Sequence, residues 1–226
     1  MFDLNYIGEY ESIAGCDEVG RGPLAGPVVG CCVLIEKEFL NHANLNYLAE
    51  LGVTDSKKLT TKKRKKILTK LGIEGVVVNQ RNTQMIKENF PITYSVRELS
   101  SKVVDELNIL QASLKSMGDA FLDCDTAHNS SKILIDGNKL LGLNLSHVDE
   151  EFVIKGDSKS VVIALASIIA KEYRDDLMIE LSKKYPHYGL ERHAGYPTKA
   201  HKEAIIKYGV TPIHRKSFKG VKEYCL

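Results

Sequence analysis

The sequence predicts an α/β fold built on a mixed sheet. Segments rich in β-branched residues alternate with segments of helical period, the pattern of a sheet covered by helices. The first two apolar runs, from Ser12 to Val19 and from Val28 to Ile35, are joined too closely for a parallel crossover, so they form an antiparallel pair. Chain-stop signals fall between the segments where an alternating architecture requires them.

Ser12 to Val19 reads as a short strand, and VVGCCVLI (28–35) as a strand buried on both faces. Thr60 opens a helix that runs to Leu71, with Gly72 as its stop. GVVVNQ (75–80) is expected to be a third strand. Val103 to Leu122 carries apolar residues at Leu107, Leu110, Leu114, Met117, Phe121 and Leu122, a helical stripe. Lys132 to Ile135 and Glu151 to Ile154 are two short strands, each followed by an aspartate beside a glycine: Asp136-Gly137 and Gly156-Asp157. Val161 to Leu181 is a long helix, apolar through VVIALASIIA and charged beyond it. After Pro186 the composition turns to His, Gly, Tyr and basic residues. Thr198 to Tyr208 is a short helix ended by Gly209. The chain therefore divides into a main domain, 1–184, and a small helical extension, 185–226.

The 226 residues are 43% hydrophobic and 27% charged, the balance of a globular domain. No run approaches the roughly 20 apolar residues of a membrane helix, and the N-terminus lacks the basic start and apolar core of a secretory signal. The five cysteines form no CxxC pair, and an odd number cannot all pair internally. A reduced, cytoplasmic protein is expected. Net charge is only +2, but its distribution is uneven. KKLTTKKRKK (57–66) holds seven basic side chains and no acid, and the segment from Arg192 to Lys222 is again mostly basic. Such patches attract polyanions, although each alone also fits a solvated helix face.

Asp17, Glu18, Asp136 and Asp157 stand at the ends of expected strands, where side chains distant in sequence can converge. Converging carboxylates repel one another unless a cation sits among them. A hard, oxygen-only ligand set suits Mg²⁺ or Mn²⁺, and two such ions about 4 Å apart clamp the attacking and leaving oxygens of a phosphodiester. Any one of these acids alone is more often a turn or cap residue; it is the set of four, beside basic patches, that points to a metal site.

Gly20-Arg21-Gly22-Pro23-Leu24-Ala25 matches a dinucleotide fingerprint in form, but it leads through prolines into a strand rather than a helix, so that reading fails. No Walker loop is present. What remains is a loop whose backbone a ligand can approach closely, with an arginine able to reach phosphate; a plain hairpin turn is compatible with this use. His187, His193, His201 and His214 lack zinc-site spacing. Ser158 and Ser167 lie near Lys159 and Lys171 without a nucleophile elbow, which argues against a serine hydrolase.

Along nearly its whole length the chain resembles bacterial ribonuclease HII. The matching blocks are GCDEVGRGPLAGPVV, VTDSKKLT, VDELNILQASLKSM, ILIDGNK, VIKGDSKSVVIALASIIAKEYRD and YGLERHAGYPTKAHKEAIIKYGVTPIHRKSF. The arginine of Gly-Arg-Gly favours this family over ribonuclease HIII, where lysine is usual. The resemblance implies a ribonuclease H-like fold with a five-stranded mixed sheet and a C-terminal helical region. It implies cleavage of RNA in RNA–DNA hybrids and incision at single ribonucleotides in duplex DNA. It assigns the metal ligands to Asp17, Glu18, Asp136 and Asp157. It gives Gly20, Arg21, Gly22 and Tyr196 the reading of a junction with RNA on the 5′ side and DNA on the 3′ side. The 2′-hydroxyl is what distinguishes RNA from DNA at one position, and Tyr196 can stack on the sugar that lacks it. Ser56, Lys57 and Lys58, with His214 and Arg215, are expected as contacts to the nucleic-acid backbone. A monomer is expected. The alternatives are a ribonuclease HIII-like activity restricted to longer hybrids and a non-catalytic nucleic-acid-binding module.

Overall fold

The computed structural model describes residues 1–125 and 130–225; residues 126–129, and residue 226 at the end of the expected extension, lie outside the described residues. Six strands form one sheet: β1 (Ser12–Val19), β2 (Val28–Glu36), β3 (Asn82–Lys87), β4 (Phe90–Leu99), β5 (Ser131–Asp136) and β6 (Val148–Val153), in the order β3-β4-β2-β1-β5-β6. β1 is antiparallel to β2 and parallel to β5, and β6 is parallel to β5. The expected α/β class and mixed sheet are present, with six strands where five were expected.

The helices are α1 (His42–Glu50), α2 (Thr61–Lys70), α3 (Ser101–Leu107), α4 (Ile109–Cys124), α5 (Val161–Lys184), α6 (Leu190–His193) and α7 (Lys199–Tyr208). α5 covers one face of the central strands, and α4 covers the other. Two glycines permit this close fit. A Cβ on Gly15 of β1 would meet the Ile163 backbone nitrogen at 2.5 Å, and one on Gly30 of β2 would meet the Ser116 backbone at 2.5 Å. All ten residues from Val161 to Ala170 are buried; each large aliphatic side chain among them contributes about 1.5–3 kcal/mol by leaving water.

Two elements differ from the sequence reading. GVVVNQ is not a strand: Gly75 and Asn79 adopt positive φ of 62° and 60°, and the segment lies along the core edge with Val77 exposed. The third and fourth strands are instead the hairpin β3–β4. The expected single helix over 103–122 is two helices, broken at Asn108 with φ 67°; the Asn108 carboxamide oxygen then caps α4 by accepting from the amides of Leu110 and Gln111 at 3.0 and 3.1 Å.

Beyond Lys184 the chain packs a separate apolar cluster, in which Tyr188, Leu190, Ala204, Ile205 and Val221 surround Leu24, Ala25 and Met178. The C-terminal segment is thereby laid against the loop that follows β1. No helix among the described residues is long and apolar enough to cross a membrane.

Candidate active site

Because β1 and β5 run parallel, their carboxyl ends share one edge of the sheet. Asp17 approaches that edge on β1, and Asp136 is the last residue of β5. β6 ends beside them, and Lys155, in the left-handed region at φ 56°, turns the chain into a one-turn 3₁₀ helix, Gly156–Ser158, that carries Asp157. The Gly156 amide donates to Asp136 Oδ1 at 2.6 Å, tying that turn to β5. Oxygens of Asp17, Asp136 and Asp157 all lie within 4.8 Å of one another.

Glu18, the fourth expected acid, stands outside this cluster. Its Oε1 faces Arg21 Nη1 at 3.5 Å, but its carboxyl still feels Asp136. Burial, opposed by Arg21 and reinforced by Asp136, raises its pKa above the ordinary range. Asp17 is 3% exposed. Burial first, then Glu18, then Asp136, push its pKa well above the usual carboxylate range. Burial and then Asp136 raise Asp157 in the same sense. Negative charge is thus concentrated in a desolvated place where Lys57 and Arg21 offset it only in part, and the donors are all hard oxygens. Both features fit one or more divalent ions such as Mg²⁺ or Mn²⁺.

Several neighbours were not legible beforehand. Asp55 accepts from the Lys57 amide at 2.9 Å, and its carboxyl stands close enough to Asp157 for the two to influence each other's charge. Ser167 of α5 reaches Asp17, and its hydroxyl lies 2.8 Å from that of Ser56. A general signal existed for Asp55, an N-cap position in TDSKKLT; none existed for Ser167, whose role comes from how α5 crosses β1. Arg64 holds the whole 55–59 turn in place. It pairs with Glu172 and Asp175 of α5 and donates to the carbonyls of Ser56 and Leu59 at 3.1 and 2.8 Å.

Lys57 and Lys58 project from this turn. Burial acts to lower the Lys57 pKa, but the carboxylates of Asp17, Asp157 and Asp136 outweigh it, and the net shift is upward. Lys58 Nζ lies 3.0 Å from Ser158 Oγ and 3.6 Å from Asp55 Oδ2. Ser56 is buried, with its hydroxyl directed to Ser167 rather than outward.

Gly20 has a positive φ of 94°, which favours glycine. A Cβ there would lie 2.4 Å from Arg174 Nε. Gly22 faces Tyr196, whose Cε1 lies 3.2 Å from where a Gly22 Cβ would stand. The loop and the aromatic that the family resemblance named together do adjoin. Arg21 and the Tyr196 ring are solvent-exposed.

His214 and Arg215 require a correction. Both are fully buried, at 1% and 0% exposure. Arg215 donates from Nη2 to Gly20 O at 2.6 Å, from Nη1 to Arg21 O at 3.1 Å and from Nε to Gly26 O at 3.1 Å. With its guanidinium committed to three carbonyls, it holds the loop from behind and cannot serve as a direct phosphate clamp in this arrangement. Arg174 does the same for the next stretch, donating to Pro27 O, Ala25 O and Ala194 O at 3.1, 3.2 and 3.1 Å. Burial lowers Arg174 to about 10; burial and then Arg174 lower Arg215 to about 9. Both remain cationic at neutral pH.

A carboxylate cluster at the carboxyl edge of a mixed sheet, flanked by lysines and a bare glycine loop, defines a divalent-metal-dependent nuclease of the ribonuclease H-like type. Comparison with known proteins narrows the class. Residues 14–221 match the family model of Ribonuclease HII. Ribonuclease HII of Francisella tularensis subsp. tularensis is 40% identical over 210 residues, covering 93% of this chain and 96% of the relative. The crystal structure of ribonuclease H2 from Pyrococcus horikoshii OT3 aligns with a TM-score of 0.69 at 27% identity, covering 94% of this chain and 96% of that one. Bst-RNase HIII, solved in complex with Mn²⁺, has a TM-score of 0.65 at 18% identity over 98% of this chain and 71% of its own, a likeness of fold. The chain belongs to the ribonuclease HII family, and it is a metal-dependent ribonuclease.

Proposed function

We propose that the protein cleaves the RNA strand of RNA–DNA hybrids and incises 5′ to single ribonucleotides in duplex DNA, leaving 5′-phosphate and 3′-hydroxyl ends. The observation that carries this reading is the spacing within one strand-turn. Asp17 and Glu18 are separated from Gly20 by Val19 alone, so the cutting and sugar-reading elements share one short, rigid piece of backbone.

Asp17, Asp136 and Asp157 would hold the ions, with Glu18 turning in from Arg21 as an additional ligand. Divalent ions held by these residues would supply a water activated at neutral pH and charge neutralisation at the scissile phosphate. Ser167, itself bonded to Ser56, orients Asp17, while the negative charge of Asp55 beside Asp157 adds to the attraction for cations. Lys57 and Lys58 meet the phosphate backbone beside the cut. The backbone of Gly20–Gly22 meets the 2′-hydroxyl, which side chains would otherwise fend off. Tyr196 stacks on the following deoxyribose, so the segment after residue 184 contributes to substrate binding. All these groups come from one chain, and the active unit is taken to be a monomer.

The test uses a labelled duplex with one ribonucleotide and a long hybrid, each incubated with Mg²⁺ or Mn²⁺ and with EDTA. A metal-dependent nick 5′ to the single ribonucleotide is expected. Cutting of the long hybrid alone would favour the runner-up, a ribonuclease HIII-like specificity, to which the shared fold is compatible. The Gly-Arg-Gly loop is the feature that favours the first reading.

A further inference from the structure

The backbone around Tyr196 is pinned at three successive carbonyls. Ala194 O accepts from Arg174 at 3.1 Å, Gly195 O from the Leu24 amide at 2.8 Å, and Tyr196 O from the Thr198 amide at 2.8 Å. Tyr196 O has a second partner, Nδ1 of His201, at 3.0 Å. His201 lies in the first turn of α7 and is wholly buried.

The direction of this last bond determines a chain of others. A carbonyl only accepts, so His201 Nδ1 carries the proton, and Nε2 of the neutral ring is an acceptor. Nε2 of His214 lies 3.2 Å from it and must therefore donate. That leaves His214 Nδ1 as the acceptor, where the Thr211 amide and hydroxyl reach it at 3.1 and 2.8 Å. The order Thr211 to His214 to His201 to Tyr196 satisfies every group with one tautomer at each ring. It needs both rings neutral. Burial lowers the pKa of His201, and burial and then His201 lower that of His214 to about 4. The far end of the relay adjoins the reading loop, since His214 bridges Ala25 and its neighbour Arg215 holds Gly20 and Arg21.

We infer that His201 and His214 are positioning residues for junction recognition: their relay fixes the Tyr196 carbonyl, and through it the ring's placement against Gly22. The inference rests on the proposed role of Tyr196. Neither histidine touches the acids or a substrate. The consecutive pair His214 and Arg215 thus sets both halves of the reader, one side chain holding the aromatic and the next holding the glycine loop.

The test measures kcat/KM on the single-ribonucleotide duplex divided by that on a long hybrid. His201→Leu removes the donor to Tyr196 O. His201→Asn keeps a side-chain donor near the Nδ1 position and lacks only the link to His214. His214→Asn keeps an acceptor for Thr211 and loses donation to His201, so it checks the relay without creating an apolar hole. His201→Leu is expected to lower the ratio roughly fivefold or more, and His201→Asn, whose amide donor is fixed, to restore it to within about twofold of the parent. His214→Asn no longer holds the His201 proton on Nδ1, which frees that ring to take the other tautomer and lose its bond to Tyr196 O, so the ratio is expected to fall roughly fivefold or more. In a Tyr196→Ala background His201→Leu should add nothing, the non-additivity expected of coupled residues. Equal losses on both substrates, or an independent loss in the double variant, would overturn the relay. A Tyr196→Ala variant with an unchanged ratio would instead overturn the role of Tyr196, and the relay's purpose with it. Thermal melts accompany each variant, and only species with a cooperative transition enter the comparison.

Discussion

The Arg215 guanidinium donates to the carbonyl oxygen of Gly20 at 2.6 Å, across 195 positions of sequence. A residue near the C-terminus thus sets the shape of the turn that follows β1. Lysine cannot replace it, because a single ammonium lacks the fork that reaches Gly20, Arg21 and Gly26 together. Arg215→Lys is expected to cost about 2–4 kcal/mol of stability through stranded buried carbonyls, and to raise KM on ribonucleotide-containing duplex. Denaturant unfolding and steady-state kinetics measure the two effects; a variant unchanged in both would show that the loop holds its shape without the clamp.

The acids make a second prediction. Asp17 is destabilised in its charged form by burial, then by Glu18 and Asp136. Asp17→Asn removes that repulsion, so the metal-free variant should melt a few degrees above the metal-free parent while losing activity. Mn²⁺ should raise the melting temperature of the parent and leave the variant nearly unmoved, since only the parent binds the ion tightly. Differential scanning fluorimetry with a Mn²⁺ titration reads both.

Asp136→Asn separates cutting from binding. The side chain sits inside the carboxylate cluster, whereas Lys57, Lys58 and the glycine loop beside it supply the proposed contacts to the duplex and are unchanged by the substitution. Loss of several kcal/mol of transition-state stabilisation corresponds to roughly 10³-fold or more in rate. Fluorescence anisotropy on the uncleaved duplex should show affinity within a few-fold of the parent. Substantial Mg²⁺-dependent cutting by this variant would refute the site.

Tyr196→Ala should reduce incision at a single ribonucleotide more than cutting of a long hybrid. Stacking of one aromatic is worth about 1–3 kcal/mol, so roughly a tenfold change in the ratio is expected. Paired kinetics on the two substrates give the answer directly.

His214 makes stability depend on pH in a defined window. Its folded pKa of about 4 lies below its ordinary value of 6.5, so the unfolded chain takes up the proton first as pH falls. Its contribution is fully present above about 6.5 and declines as pH drops towards 4, amounting to at most about 3 kcal/mol. Comparison of urea midpoints between pH 7 and pH 4.5, in the parent and in His214→Asn, isolates it: the variant should show the shallower decline.

The convergence of carboxylates at one sheet edge was legible because strand ends are legible. Asp17 and Asp136 close apolar runs, and parallel pairing of β1 with β5 brings such ends together. The β3–β4 hairpin was not legible. Its sequence is interrupted by Pro91, which is tolerated because that end of β4 pairs with β3 alone, β2 reaching only as far as Thr93. The buried arginines were hidden for a different reason. Arg64 lies in a lysine-rich run, and Arg174 in the charged half of α5, so both resembled solvated surface. Their burial depends on contacts more than 100 positions away, which local pattern does not encode.

Arg174 and Arg215 share one further property. Among the described residues neither forms an ion pair; their donors go to backbone carbonyls. Two cations therefore sit one hydrogen bond behind the loop of residues 20–27. Because they are enclosed, mobile counterions screen them far less than exposed lysines such as Lys58. The turn after β1 is thereby backed by a fixed positive field that added salt weakens less than it weakens the field of the exposed lysines.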